Sequence, residues 1–311
     1  MKYCFGVDLG GTTVKMGLFH VNGELLQKWE IPTRTENEGE AILSDIAAAI
    51  LSKMEEQGID KADVLGIGIG IPAAVKEDGV VKETSNLGWH YKEVKRELEE
   101  YTGLPVRTGN DANVAALGEM WKGGGVGHQN LVMVTLGTGV GGGIIIGGRI
   151  LVGVSGAGAE IGHLTVNEAE KQACGCGRKG CLEQYASATG IVRMAKKVLA
   201  ENTKETVLRA ENVTAKDVFD AVKAGDAVAM TIAEDFGKYL GYALANLAVV
   251  VDPGVFVIGG GVSKAGQILL QYIEKYYLER ALWENAKVKF VLAQLGNDAG
   301  IYGAAKLAIE A

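Results

Sequence analysis

Between Glu160 and Glu183 the chain reads EIGHLTVNEAEKQACGCGRKGCLE, which sets His163, Cys174, Cys176 and Cys181 in the pattern H-x10-C-x-C-x4-C. One imidazole and three thiolates are a donor set that a tetrahedral zinc ion takes. Gly175, Gly177 and Gly180 leave the backbone free to wrap a small ion. Three of the four cysteines of the chain lie here, inside eight residues. The bland alternative is a set of buried or redox-active thiols beside an unrelated histidine. In a chain with no secretion signal, a closed zinc site is the better reading. The flanking acids Glu160 and Glu183 are spare once the ligands are counted. A metal knot that holds two carboxylates and one edge of a histidine can present them to a polyol.

A second chemistry sits at the start of the chain. The apolar run Tyr3 to Val7 ends at Asp8, then come Leu9-Gly10-Gly11-Thr12-Thr13 and a second strand, Val14 to Phe19. The glycine pair lets backbone N–H groups approach an anion with no Cβ in the way. Asp8 at the strand end can orient a hydrated magnesium ion, and Lys15 can lie beside phosphates. The plan repeats at Val132 to Leu136, Gly137-Thr138-Gly139 and Val140 to Ile146, with Leu136-Gly137 matching Leu9-Gly10. Two such hairpins suggest an internal duplication with two phosphate loops. A third glycine turn, Gly259-Gly260-Gly261, follows the strand Val255 to Ile258 and is expected to open a helix from Lys264, where a nucleotide can rest. Asn110-Asp111 precedes a helix from Ala112 to Lys122. The bland alternative is helix capping, since Asn or Asp commonly accepts the free N–H groups there. The functional reading makes Asp111 a general base held at a strand end, where the helix terminus favours its ionised form.

The elements that position these groups alternate between strands and helices. An amphipathic helix spans Gly39 to Gln57, and a strand with alternate glycines, Val64 to Ile71, lets a neighbour pack close. The polar loop from Thr84 through Ser85, Asn86, Leu87 and Gly88 to Trp89 can fold over a ligand, with Asn86 as a substrate contact. A helix spans Tyr91 to Thr102 and a strand Val106 to Thr108. Helices follow at Ser187 to Glu201, Ala215 to Ala224 and Asp226 to Val250. A strand at Lys287 to Ala293 and a closing helix at Asp298 to Ala311 complete the chain. Gly123-Gly124-Gly125 is the hinge candidate.

At 311 residues the chain is long enough for two lobes. A net charge of −7 argues against nucleic-acid and anionic-membrane partners. The uncharged run Gly123 to Gly148 is too rich in glycine for a membrane helix and reads as strand–turn–strand. With no signal peptide at the N-terminus, a cytoplasmic protein is expected.

DLGGT with its lysine, the LGTG hairpin, Glu160-x-Gly-His163, the run C-x-C-G-x-x-G-C-x-E and the late GGG turn together resemble the ROK family of bacterial sugar kinases and repressors. The resemblance spans essentially the whole chain. It implies an α/β actin-like ATPase (ribonuclease-H-like) fold with two lobes around a central cleft. The small lobe would comprise residues 1–112 with 300–311 returning to it, and the large lobe 113–299. It also implies ATP with Mg2+, structural Zn2+, and transfer to a hexose, most often to the 6-hydroxyl of glucose. Asp111 is then the base. Asn110, Asp111, Glu160, His163 and Glu183 would bind sugar, and His163, Cys174, Cys176 and Cys181 would bind zinc. Gly10, Gly11, Thr12, Lys15, Thr138 and Gly139 would hold phosphates, while Gly260 and Gly261 would face adenosine. A homodimer or homotetramer is common in the family.

The sequence departs from the family after Ile71-Pro72, where Ala73-Ala74-Val75-Lys76 replaces the usual glycine and aspartate. N-acetylmannosamine, N-acetylglucosamine, fructose, allose and mannose therefore stay open beside glucose. The family's repressors carry a DNA-binding module ahead of the first hairpin, and only seven residues precede Asp8 here. A non-catalytic sugar sensor would lack the acid at position 111. A heat-shock-type ATPase would have no use for the metal-braced acids.

Overall fold

The computed structural model describes residues 2–76, 78–84 and 86–310; Ser85 of the polar loop lies outside them. In chain order come β1 (Tyr3–Leu9), β2 (Thr13–His20), β3 (Leu25–Pro32), the single turn α1 (Glu36–Gly39), α2 (Ile42–Gln57) and β4 (Val64–Ile71). A small antiparallel pair, β5 (Val80–Val81) and β6 (Lys92–Glu93), precedes α3 (Val94–Thr102), β7 (Val106–Asn110) and α4 (Asp111–Lys122). The plan then restarts with β8 (Leu131–Leu136), β9 (Val140–Ile146) and β10 (Arg149–Ile150). The helices α5 (Glu183–Ala186), α6 (Ala188–Glu201), α7 (Ala215–Lys223) and α8 (Ala227–Val251) follow. The chain ends with β11 (Val255–Gly259), α9 (Gln267–Leu278), β12 (Lys289–Leu292) and α10 (Ala299–Ile309).

The two main sheets share one topology. Their orders are β3-β2-β1-β4-β7 and β10-β9-β8-β11-β12, so each reads third, second, first, fourth, fifth. In both, the first, fourth and fifth strands are parallel. The repeated glycine hairpin therefore marks a repeated fold unit.

Strand periodicity explains how the first sheet is dressed. Side chains alternate between faces. Phe5, Val7 and Leu9 of β1 and Ile67, Ile69 and Ile71 of β4 join one core with Ile42, Ile46, Ile50 and Leu98 from α2 and α3. The alternate positions of β4 are glycines, and they meet the other helices. A Cβ on Gly68 would collide with the Ala304 carbonyl of α10, and one on Gly303 would collide with the Val114 carbonyl of α4. Glycine here lets two helix backbones settle directly on the sheet and on each other. Cys4 packs against Ile301 and Ala305 on that same side.

The chain folds into two compact units. One is Met1–Gln129, Gly143–Ala159 and Gln294–Ala311; the other is Asn130–Gly142 and Glu160–Ala293. The first unit thus runs past the expected boundary at 112 and takes its returning segment from Gln294. The reason is α4, which packs along α10 and so stays with the first sheet.

Gly123-Gly124-Gly125, the hinge candidate, finishes α4. The N–H groups of Gly123 and Gly125 donate to the Glu119 carbonyl at 3.0 and 2.9 Å. The fully buried Glu119 carboxylate accepts the N–H groups of Gly124 (2.7 Å), Gln294 (3.0 Å) and Leu295 (2.8 Å). It ties the end of α4 to the segment that enters α10. Replacing it strands three partly buried donors, each worth roughly 1 kcal/mol. Glu119→Ala is therefore expected to destabilise the protein by about 3 kcal/mol or more, with Glu119→Gln falling between it and wild type, read from denaturant midpoints.

Several boundaries differ from the sequence reading. The first long helix begins at Ile42 and not at Gly39, because Gly39 itself is left-handed (φ 65°). Residues Lys92–Glu93 form a strand before α3 begins. No α-helix starts at Lys264: Gly261–Ala265 is a 3-10 turn, Gly266 (φ 83°) breaks it, and α9 starts at Gln267. The run from Gly123 to Gly148 contains β8 and β9, and no helix among the described residues is long and apolar enough to cross a membrane.

Candidate active site

The first unit gathers one set of the expected residues at the carboxyl ends of β1, β4 and β7, the end where open α/β sheets bind ligands. Asp8 pairs in register with Lys15 across the hairpin and with Gly70 across β4. Its even-numbered position aims it at the face of α10, where a Cβ on Gly300 would lie 2.5 Å from its carboxyl carbon. Burial pushes the Asp8 carboxyl up to about 6; the Lys15 ammonium opposes this and the Asp111 carboxylate adds to it. The two acids are therefore close enough to feel each other.

Asp8 binds its proton more tightly folded than unfolded, so its contribution to stability falls as pH rises from about 4 to about 6 and is level above that. The loss amounts to about 3 kcal/mol. Metal-free Asp8→Asn is expected to lack that fall and to exceed wild type in stability at pH 7. Urea unfolding at pH 4.5 and pH 7 checks this; equal slopes in both proteins would refute it.

The loop after Asp8 is held by its carbonyls. The Gly10 N–H closes the turn on the Thr13 carbonyl (3.1 Å), the Thr33 hydroxyl donates to the Gly10 carbonyl (2.7 Å), and the Thr33 N–H donates to the Thr12 carbonyl (2.9 Å). Asn86 lies directly against Gly11, 3.2 Å from where a Cβ would stand. The Asn86 loop therefore flanks the glycine turn.

Asn110 ends β7 and caps α4. Its Oδ1 accepts the N–H groups of Ala112 (3.0 Å) and Asn113 (3.2 Å), and its Nδ2 donates to the Ala73 carbonyl (3.1 Å). Asp111 is the first residue of α4, with Oδ1 on the Ala112 N–H at 2.8 Å. Asn110 does the capping, which leaves Asp111 placed at a helix N-terminus that favours its charged form.

The second unit holds the other set. Its hairpin loop is built like the first. The Gly137 N–H closes on the Gly139 carbonyl (3.0 Å), the Ala188 N–H takes the Gly137 carbonyl (2.8 Å), and the Thr189 hydroxyl takes the Thr138 carbonyl (3.0 Å). Thr189 thus does for this loop what Thr33 does for the first. In each loop neighbouring groups use up the carbonyls. Among the described residues the N–H groups of Gly11, Thr12, Thr138 and Gly139 have no protein acceptor. Unused N–H groups in a glycine turn form an anion nest. The third turn lies on the end of β8: Gly259 pairs in register with Thr135, and Gly260 (φ 82°) packs on Leu136.

His163, Cys174, Cys176 and Cys181 converge, with their ligand atoms all within 4.8 Å of one another. Cys176 Sγ and Cys181 Sγ are 3.7 Å apart, and His163 Nδ1 is 3.9 Å from Cys174 Sγ. Zinc–sulfur bonds of about 2.3 Å in a tetrahedron put sulfurs roughly 3.7–3.8 Å apart, which the Cys176–Cys181 pair matches, so small adjustments of the other donors suffice to close the site on zinc. Nδ1 faces the thiols, which leaves Nε2 for another partner. Burial pushes the Cys181 thiol up to about 12, with the neighbouring thiols adding to the effect. Burial also raises Cys174, whereas the backbone at Arg178 lowers Cys176. Three thiolates cannot share this volume without a cation to hold them.

Glu183 joins the knuckle to the second loop. Its Oε1 is 3.6 Å from Cys174 Sγ, and its Oε2 accepts the Val140 N–H at 3.0 Å. A Cβ on Gly139 would occupy the space of that carboxylate. Glu160 is exposed and precedes the 3-10 turn Ile161–His163 that carries the histidine. Sequence reading missed the brace behind the knuckle. The Tyr185 hydroxyl donates to Glu170 (2.6 Å), Arg193 donates to the same oxygen (2.7 Å), and Asn167 donates to Tyr185 (2.8 Å). The Tyr185 hydrogen bond leads in holding the Glu170 carboxyl down to about 2.

Asp8, Gly10, Gly11, Thr12, Lys15, Asn86, Asn110 and Asp111 belong to the first unit. Thr138, Gly139, Glu160, His163, the three cysteines, Glu183, Gly260 and Gly261 belong to the second.

A family model for the ROK family matches residues 4–311. The glucokinase of Halalkalibacterium halodurans is 47% identical over 309 residues, covering 97% of this chain and 93% of that protein. Among solved structures, the ROK family glucokinase from Streptomyces griseus in complex with glucose and AMPPNP is 35% identical with a TM-score of 0.76, covering 99% of this chain and 100% of that one. The ROK hexokinase from Thermus thermophilus is also 35% identical, with a TM-score of 0.81, covering 98% of this chain and 97% of that one. These similarities carry the actin-like α/β fold with them, and by full-length match and motif alike the chain belongs to the ROK family.

Proposed function

We propose that this chain is an ATP-dependent hexose kinase that transfers the γ-phosphoryl group of MgATP to the 6-hydroxyl of glucose, with Asp111 as general base. The observation that carries the reading is the shared carboxylate of Glu183. One oxygen lies beside a zinc-ligand cysteine and the other fixes a phosphate-type loop. Sugar recognition and phosphate binding are thus built on one residue.

In this reading the N–H groups of the two glycine loops hold the ATP phosphates, and Lys15 adds a positive charge. Bound magnesium neutralises developing charge on the phosphates; Asp8 would orient it. Asp111 accepts the proton of the attacking hydroxyl. Asn110, Glu160, His163 and Glu183 hold the other hydroxyls, with Asn86 as a further contact. Zinc would be held by His163, Cys174, Cys176 and Cys181 and would stiffen that cradle. Gly260 and Gly261 face the adenosine. A cytoplasmic homodimer or homotetramer completes the proposal, and size-exclusion chromatography with light scattering tests the assembly.

A coupled assay with ATP and a sugar panel tests the activity. Glucose is expected to exceed N-acetylmannosamine, N-acetylglucosamine, fructose, allose and mannose in kcat/KM. A better substrate among those would overturn glucose and leave the kinase. ATP hydrolysis that ignores sugar would overturn the kinase itself.

A further inference from the structure

A cavity of about 620 Å3 lies wholly within the first unit, along β7 and the β9–β10 turn. Of the described residues given catalytic, sugar, zinc or phosphate roles above, Asn110 alone lines it. Its size suits a small molecule. β7 is the last strand of its sheet, so one side of its backbone takes no part in the ladder.

The lining is cationic in a chain whose net charge is −7. Lys76, Lys95, Arg107 and Arg149 all face it, and among the described residues none of them forms a salt bridge. Lys76 and Lys95 are half-buried, which strengthens their pull on an anion. Among the described residues the acid in the lining is Glu310, which is paired with Lys306 at 3.0 Å.

An independent observation comes from Asn113. It lines the same cavity and is 3% exposed, and its buried Oδ1 has no hydrogen-bond partner among the described residues. A buried acceptor left bare is costly, and a hydroxyl of a bound molecule can supply its donor. A cationic ligand would be repelled by the four basic side chains, so a hydroxyl carried on an anion is the donor that suits both features. Among the described residues no aromatic side chain lines the cavity to stack a nucleobase.

We propose that this cavity is a second ligand site for a phosphorylated polyol, a sugar phosphate, with the phosphate on the lysines and arginines and a hydroxyl on Asn113. The class includes the product of the reaction proposed above, and to that extent the assignment rests on that reading. Asn113 stands in the first turn of α4, two residues from Asp111, so an occupant grips the helix that carries the base.

The test is calorimetric titration of the full chain with glucose 6-phosphate while saturating glucose and AMPPNP fill the catalytic site. One further equivalent is expected to bind. The double variant Lys95→Ala/Arg149→Ala is expected to bind at least tenfold more weakly with unchanged initial rates. Asn113→Asp, which keeps the side-chain volume and adds a negative charge, should weaken binding as much. Inorganic phosphate should bind at least tenfold more weakly than the sugar phosphate. Absence of the extra equivalent, indifference to the double variant, or equally tight inorganic phosphate each overturns the proposal. Binding is read without turnover, so a protein that binds but fails to phosphorylate sugar would overturn the kinase reading alone. A working kinase with no second site would overturn this proposal alone.

Discussion

Asp111→Asn is expected to lower kcat by about 10²–10⁴-fold, the range of a positioned general base, while the sugar KM and the unfolding midpoint change little. Asn110, not Asp111, supplies the two side-chain bonds that cap α4. The bond of Asp111 to the Ala112 N–H uses one oxygen, which an asparagine retains. What disappears is the charge and the capacity to take a proton. A second readout separates this from a general disturbance. Asp111 is one of the groups that raise the Asp8 carboxyl, so its neutralisation should move the Asp8 titration down from about 6. Near-normal turnover would remove Asp111 from its role. A collapsed midpoint would mean that Asp111 is a structural residue.

The parts legible in the sequence are those whose signal is local. The two glycine hairpins predict the repeated sheet, because each loop is specified by a few consecutive residues and the strand order follows from it. The zinc donors fall within one short segment, so spacing alone brings them together. The alternate glycines of β4 announce a close neighbour, though not which one; it is α10, from the far end of the chain.

The parts that stayed hidden depend on partners far apart in sequence. Glu119 and the Gln294 N–H are separated by 175 positions, and nothing near Glu119 distinguishes it from a surface acid of an amphipathic helix. The second task of Glu183, on the Val140 N–H, joins residues 43 positions apart. Asn113 looks like an ordinary helix residue until its unpaired oxygen is placed against a cationic cavity. The glycine triplet at Gly259 to Gly261 misled in the opposite way. The local pattern suggested a strand leading straight into a helix, but a left-handed Gly266 delays α9 and leaves a 3-10 turn in between.

Cys176→Ser is expected to reduce bound zinc from one per chain to well below that and to raise the KM for sugar by about 10- to 100-fold, the scale seen when the support of a metal site is lost. Cys176 is the exposed member of the cluster, so the change leaves the core untouched and probes the metal directly. A serine hydroxyl does not ionise as a thiol does and is a poor zinc donor. With the ion gone, the buried Cys181 thiol, pushed up to about 12, keeps its proton. The cluster then loses the attraction that drew its four donors together. Glu183 shares this fate, because one of its oxygens lies 3.6 Å from Cys174 Sγ. Its other oxygen still has the Val140 N–H, so the KM for ATP should rise less than the KM for sugar. Elemental analysis beside sugar and ATP titrations decides the matter. Full zinc occupancy in the variant would show the ligand set to be wrong, and zinc loss with unchanged sugar affinity would separate the metal from the sugar cradle.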